Sequence, residues 1–439
     1  MPRLHQLSFG AALGALMLAA CGEATPPEPC TEGSTGNLTI ALTGLPAGST
    51  GRLTLAGPGG SISVTSSTTL TGIATGAYTV TSEPTTVTDS LIAALFTAAS
   101  LPATVCVRET GSSLTTAFTR VASSGRLWFG AGFYTAGFAA NVLTATATLD
   151  PSALVGTRGG KGVAFDRSGN LWVRGQTESD PVLMRYPASS LAGTGSPLPD
   201  RSIGIVGLTC LGPSALAFDA SGNLWISLGC QGRIVRLTPA QYAASATVAP
   251  TVQITGLSEP TGLAFDGAGN LWVADQTHLR RFDAARLTAN IMTAANLSVA
   301  FTTPTPPAPG VTALNPSHLA FRPNGELWVG SATQRALFRV EPSVRSATGA
   351  QLATPTRILY LNEFSQPKGF AFDNAGGLFV GTEQSRFGRI SPAQLDVNST
   401  PAAPTVPQRT IASGSILGFG DDIAIYPAPS GTPLFHRVP

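Results

Sequence analysis

The chain has 439 residues, with 26 Lys and Arg set against 24 Asp and Glu, so only 11% of positions are charged where about a quarter is usual. Such scarcity excludes a coiled coil, a charged disordered chain and a nucleic-acid binder steered by charge, and a net charge of +2 singles out no partner. The 49 Gly and 34 Pro, with 43% hydrophobic residues, suit many short strands joined by tight turns in a chain long enough for two cores.

Residues 1–20 read as an export signal. Arg3 precedes an uncharged run over residues 7–20, too short to span a bilayer. Leu18-Ala19-Ala20-Cys21 resembles a bacterial lipobox, which implies a diacylglyceryl group on the Cys21 thiol and a membrane partner; an ordinary secretory signal with an incidental cysteine is the other reading. Residues 21–36 follow as a tether, extended by Pro26, Pro27 and Pro29. A second uncharged stretch, residues 90–107, contains Pro102 and several Ser and Thr and is expected as strand and loop rather than membrane helix. Once Cys21 is set aside, Cys30, Cys106, Cys210 and Cys230 remain, an even number suited to disulfides outside the cell. Four cysteines allow three pairings, and position in the chain favours Cys30 with Cys106 and Cys210 with Cys230. No Cys-x-x-Cys is present, which argues against a zinc ribbon or a thioredoxin-type centre.

Residues 37–122 alternate apolar and polar side chains over 37–42, 51–55, 61–64, 76–80, 104–107 and 114–121, between Gly-rich turns. Period-two patterning at this spacing predicts a small β-sandwich. Its turn phrases resemble those of immunoglobulin-like or prealbumin-like modules of bacterial surface proteins, which implies a spacer or docking role.

Residues 123–439 carry a repeat. Five segments read like Gly262-Leu-Ala-Phe-Asp-Gly-Ala-Gly-Asn-Leu-Trp-Val273, and their Phe positions, 165, 218, 265, 321 and 372, lie 53, 47, 56 and 51 residues apart. A degenerate sixth copy begins at Asp422. Each unit predicts a strand, an Asp-x-x-Gly turn and a returning strand, with third and fourth strands following. A period near fifty with β patterning predicts propeller blades. The fold expected is therefore all-β: a six-bladed β-propeller preceded by a small immunoglobulin-like sandwich. The ring closes if residues 125–129 and 142–149 serve as third and fourth strands of the last blade; a second-strand role for Leu127-Trp128 leaves seven blades open.

The phrase Pro260-Thr-Gly-Leu-Ala-Phe-Asp-Gly-Ala-Gly-Asn-Leu-Trp-Val273 resembles that of NHL-repeat, gluconolactonase and streptogramin-lyase-like propellers. The resemblance implies a ligand site around the central channel, on the side where first strands begin and second strands end. Carried onto this chain it marks Lys161, Arg174, Asp275, His318, Lys368, Glu383 and Asp422. His318 and Asp422 replace the small residue held by Gly162, Ala215, Gly262 and Gly369; such a pair suits a base or ligand role, or simply fills the channel. Asp275 with His278 reads as a ligand pair or a solvated turn. Asp166, Asp219, Asp266 and Asp373 recur in most copies and are read as turn formers, and Trp172, Trp225, Trp272 and Trp328 as packing between blades.

Two functions are consistent with this pattern. The first is a lipid-anchored bacterial cell-envelope module, in the inner or outer membrane, that binds a small molecule or protein without cofactor, nucleic acid or catalysis. The second is a metal-dependent lactonase, hydrolase or lyase, using a divalent ion with Asp275, Glu383, Asp422 and His318. Gly159-Gly-Lys-Gly162 lacks the Ser or Thr and the Gly spacing of a phosphate loop, and no Gly-x-Ser-x-Gly or His-Glu-x-x-His occurs.

Overall fold

Alternating side chains build two sheets at the amino-terminal end of the computed structural model, which describes residues 30–88, 91–157, 160, 162–176, 181–209, 215–292, 294–304, 313–362, 367–382, 386–412 and 420–429. One sheet runs Thr68–Ala74, Thr35–Thr43, Ser112–Arg120, Ala94–Ala98, Thr85–Val87; the other runs Gly60–Val64, Arg52–Gly57, Gly76–Glu83, Thr104–Val107. Leu38, Ile40, Leu53, Leu55, Tyr78 and Phe118 fill the space between them. The first strand, Thr35–Thr43, and the last, Ser112–Arg120, are parallel, Leu38 opposite Ser112 and Thr43 opposite Ala117. Cys30 and Cys106 are disulfide-bonded, 5.7 Å apart at Cα. Within 90–107 the described residues form the strands Ala94–Ala98 and Thr104–Val107, and among the described residues no helix is long and apolar enough to cross a membrane.

The repeats form a β-propeller. Among the described residues six sheets follow the sandwich, with inner strands Val163–Phe165, Leu216–Phe218, Pro260–Phe265, Pro316–Phe321, Pro367–Phe372 and Gly420–Tyr426. These inner strands touch one another in that order and the last returns to the first, so they surround a central channel. The repeated aromatics hold the sheets face to face. Trp128 packs on Phe165, Trp172 on Phe218, Trp225 on Phe265 and Trp272 on Phe321, with ring centroids 5.8 to 6.5 Å apart.

The closing sheet corrects the sequence reading. Arg126–Ala131 is its second strand, paired with the inner strand Gly420–Tyr426 through Trp128 opposite Ala424, and Tyr134–Ala139 and Ala153–Gly156 are the third and fourth. Over 142–149 the chain instead makes a 3-10 turn, Ala140–Thr144, and the short strand Ala147–Thr148. The degenerate copy supplies only an inner strand to this sheet, so a second-strand role for Trp128 adds no further sheet among the described residues.

Outer edges are covered in a regular way. The connection between the third and fourth strands of each sheet runs parallel to the outermost strand of the preceding sheet: Ala246–Val248 on Arg201–Ile205, Gly349–Ala353 on Leu297–Thr302, Ala147–Thr148 on Arg409–Ala412. Single bridges do the same at Val155 with Gly195, Ile254 with Ile291 and Leu361 with Thr405. Small polar side chains on these straps take the amides that an edge would leave open. Ser245 accepts from Ser202 N, Asn290 from Gln253 N and Asn398 from Ile358 N, at 2.9 to 3.0 Å.

A short link, Val121 to Gly125, joins the domains. Leu95 N donates to Ser124 Oγ (3.0 Å), Arg120 donates to the Ser124 carbonyl (2.6 Å), and Asn374 N donates to Leu91 O (2.9 Å). Leu95 joins the core around Trp128 and Phe165, and Ile92 that around Phe129 and Phe387. The sandwich thus packs on the side of the propeller that carries the Asp-x-x-Gly turns.

Candidate functional site

The repeated carboxylates are consumed by their own turns. Asp166 Oδ1 accepts from Ser168 N and Asn170 N, and Oδ2 from Asn170 Nδ2 and Trp172 Nε1, all at 2.9 to 3.1 Å, while Gly169 takes φ +75°. Asp219 with Trp225 and Asp266 with Trp272 repeat the arrangement at 2.9 Å. In the fifth copy Phe379 replaces Trp, and Asp373 instead takes Arg389 Nε at 2.6 Å. In the fourth, Arg322 replaces Asp and Trp328 Nε1 has no hydrogen-bond partner among the described residues.

Where the inner strands converge they enclose a cavity of about 100 Å³. Its walls are aliphatic and aromatic, with Leu216, Leu263, Leu319, Phe370 and Ile423 among them, and His318 and Asp422 are its titratable lining residues. Ala428 and Pro429, just after the closing strand, line it as well. His318 lies opposite Gly330 and its ring stands 6.0 Å from that of Phe370. Asp422 Oδ2 accepts from Val163 N (3.1 Å) on the neighbouring inner strand, and Oδ1 from Ile423 N (2.9 Å). Its carboxylate therefore fastens the closing strand to the first full repeat as well as facing the channel.

Neighbouring glycines make room for both departures from the repeat. A Cβ on Gly262 would lie 3.0 Å from the His318 Cα and 2.9 Å from Leu319 Cδ2; one on Gly369, at φ +60°, would lie 2.7 Å from the Asp422 Cα. The small residue in one copy thus accommodates the backbone of the next, a relation between copies that aligning each with the others does not display.

The structure takes Asp275 out of the ligand set. It is fully buried; Oδ1 accepts from Ser258 N and Glu259 N, both at 2.8 Å, and Oδ2 pairs with Arg280 Nε at 2.6 Å. The carboxylate clamps the loop leading into an inner strand, which is why it sits at a strand end without facing the channel. His278 lies opposite it across the strand pair and takes its Nδ1 contact from Thr277 Oγ1 (2.8 Å), so the two form a turn and not a ligand pair. Arg174 is 1% exposed, and burial lowers its pKa to about 10. Lys368 lies on an inner strand opposite Gly381, beside a bulge. Lys161, Glu383, Cys21 and Cys210 lie outside the described residues; Cys230 is disulfide-bonded. His318 and Asp422 are thus the predicted residues that one cavity brings together. A divalent metal on Asp275 does not fit, since a guanidinium and two amides already hold its oxygens, and among the described residues no three His, Cys, Asp or Glu gather.

No known protein family and no curated protein matches the sequence. Several solved structures are similar to the chain in part. A streptogramin B lyase is 12% identical over 53% of this chain and 65% of its own, with a TM-score of 0.33. The virginiamycin B lyase of Staphylococcus aureus is 14% identical over 53% and 66%, at 0.32. A protein of unknown function from Bacteroides caccae is 10% identical over 68% and 97%, at 0.41. The match spans slightly less than two thirds of the two lyases.

Proposed function

We propose that the protein is a lipid-anchored module of the bacterial cell envelope that binds a ligand on the channel side of its propeller and catalyses no reaction. The observation that carries this reading is the channel itself: an apolar cavity of about 100 Å³ with one His and one Asp. Ligand pockets for drug-sized molecules run to roughly 300–1,000 Å³. A cavity this small suits a compact apolar molecule, or one apolar group of a larger ligand seated at its mouth. Acyl transfer, hydrolysis or elimination needs a nucleophile or base, an orienting partner and a charge-stabilising group in mutual reach. Asp422 spends lone pairs on two backbone amides, which favours a structural and recognition role.

Benzene and indole are suitable probes. A saturating probe at 100 times its Kd should stabilise the protein by about 2.7 kcal/mol, read as a rise in Tm. Leu319→Trp, which fills the cavity, or the milder Ala320→Leu should abolish the rise while leaving the protein folded. No rise in the wild type, or an equal rise in folded filled variants, would overturn the proposal.

The second reading, a lyase or hydrolase, draws on His318 and Asp422 lining one cavity. Turnover of a streptogramin B or a lactone by the wild type, lost in His318→Ala, would replace the binding reading with this one. Anchoring is tested separately: Cys21→Ala should release the exported chain from membranes, and unchanged retention would contradict lipidation.

A further inference from the structure

We infer that the chain beyond the closing strand carries its own occupant for the channel cavity: an apolar side chain of Leu434-Phe435 seats there, and an external ligand has to displace it. The inference rests on the binding reading above and adds to it an internal competitor.

The repeat shows why these two residues lack their expected place. In the full copies the Leu-Trp pair after the turn lies against its own inner strand, Leu171 opposite Phe165 and Trp172 opposite Ala164, Leu271 opposite Phe265 and Trp272 opposite Ala264. Leu434-Phe435 is the corresponding pair of the degenerate copy. That place is taken. Leu127 lies opposite Ile425 and Trp128 opposite Ala424, and both are fully buried. The sheet position that the other copies provide is therefore not open to Leu434 and Phe435, and water is an unfavourable alternative for two large apolar side chains.

The chain leads them toward the cavity. It is fixed as far as Tyr426, whose carbonyl accepts from Gly125 N (3.1 Å) and whose hydroxyl donates to Arg167 O (2.8 Å). Where the full copies enter an Asp-x-x-Gly turn, this one continues as Pro427, Ala428 and Pro429, all buried, and Ala428 and Pro429 line the cavity with Phe218, Phe321 and Phe372. Residues 430–439 lie outside the described residues. Leu434 and Phe435 are the first large apolar residues after Pro429. Five residues reach at most about 18 Å, and the six-residue inner strand Pro316–Phe321 that walls the channel is about 20 Å long, so most of that wall is within range. The cavity, aliphatic and aromatic at about 100 Å³, has room for one such apolar group.

Cross-linking tests the seat directly. In the full chain with Cys21→Ser, Phe435→Cys is combined with Ala320→Cys in the cavity wall, or with Ala220→Cys in the exposed turn just after the cavity-lining Phe218. Oxidation should join residue 435 to the cavity position at least about tenfold faster than to the exposed turn, because a seated side chain has the higher effective concentration there. Indole should slow the cavity cross-link. Equal rates, or a faster cross-link to the exposed turn, would overturn the inference. Leu434→Ala or Phe435→Ala in the otherwise unchanged chain should tighten indole binding about fivefold, the factor for a wild-type cavity that is free in about a fifth of molecules, and unchanged affinity in both would overturn it as well. A cavity cross-link without indole binding by any of these chains would support the internal occupant and sink the binding reading alone.

Discussion

Trp225 and Trp328 occupy the same position in two copies of the repeat, yet only Trp225 finds a carboxylate, because Asp219 stands where the fourth copy has Arg322. Trp225→Phe removes a buried bond that Asp219 accepts, whereas Trp328→Phe removes none. The first should therefore cost about 1 kcal/mol more in urea denaturation than the second, and equal costs would contradict the pairing. Exchanging Asp for Arg also builds a local charge network: Glu326 meets Arg322 at 2.9 Å and Arg339 at 3.0 Å. Burial pushes the Glu326 carboxyl up, but hydrogen bonds from Arg322, Asn324 and Arg339 outweigh it and hold the pKa below its usual value. A carboxyl lowered on folding stabilises above its unfolded pKa of about 4.3 and loses that contribution as pH falls through the folded value. Glu326→Gln should thus lower stability at pH 7 by about 1 kcal/mol and flatten the decline from pH 5 to 3, followed by urea midpoints. An unchanged acid limb would count against it.

Strands and turns were legible because each copy repeats the same local chemistry: an apolar pair, Asp-x-x-Gly, then Leu-Trp. The straps were not, since a parallel bridge joins residues of different copies and its sequence is short, with no regular pattern. Asn398 shows what such a residue does. Its Oδ1 accepts from Ile358 N (3.0 Å) and its Nδ2 donates to Thr356 O (2.9 Å), so one side chain closes both ends of an edge. Asn398→Ala should destabilise by about 1–2 kcal/mol and speed amide exchange at Ile358. Unaltered exchange there would show that the edge needs no cover.

At the scale of the molecule, the domains share a buried seam instead of a flexible linker. Leu95 is 2% exposed and belongs to the core of Trp128 and Phe165. All five Trp lie in the propeller, so their fluorescence reports that domain even when the substitution is in the sandwich. Leu95→Ala should lower the fluorescence-detected stability by about 2–4 kcal/mol. A fluorescence transition that does not move would mean the domains unfold independently.

The sequence by itself determined the all-β class, the repeat and the turn role of the recurring Asp residues, because these depend on neighbours in the chain or on regular spacing; it favoured the Cys30–Cys106 pairing among three, and the structure contains that disulfide. Only the tertiary structure decided which strand Arg126–Ala131 supplies, that Asp275 belongs to Arg280, and that His318 and Asp422 share a cavity whose adjoining glycines admit them. The first and last depend on which copies of the repeat become neighbours when the ring closes, and the Asp275 pairing on how one hairpin turns its side chains toward its own entry loop; the apolar–polar pattern carries no record of either.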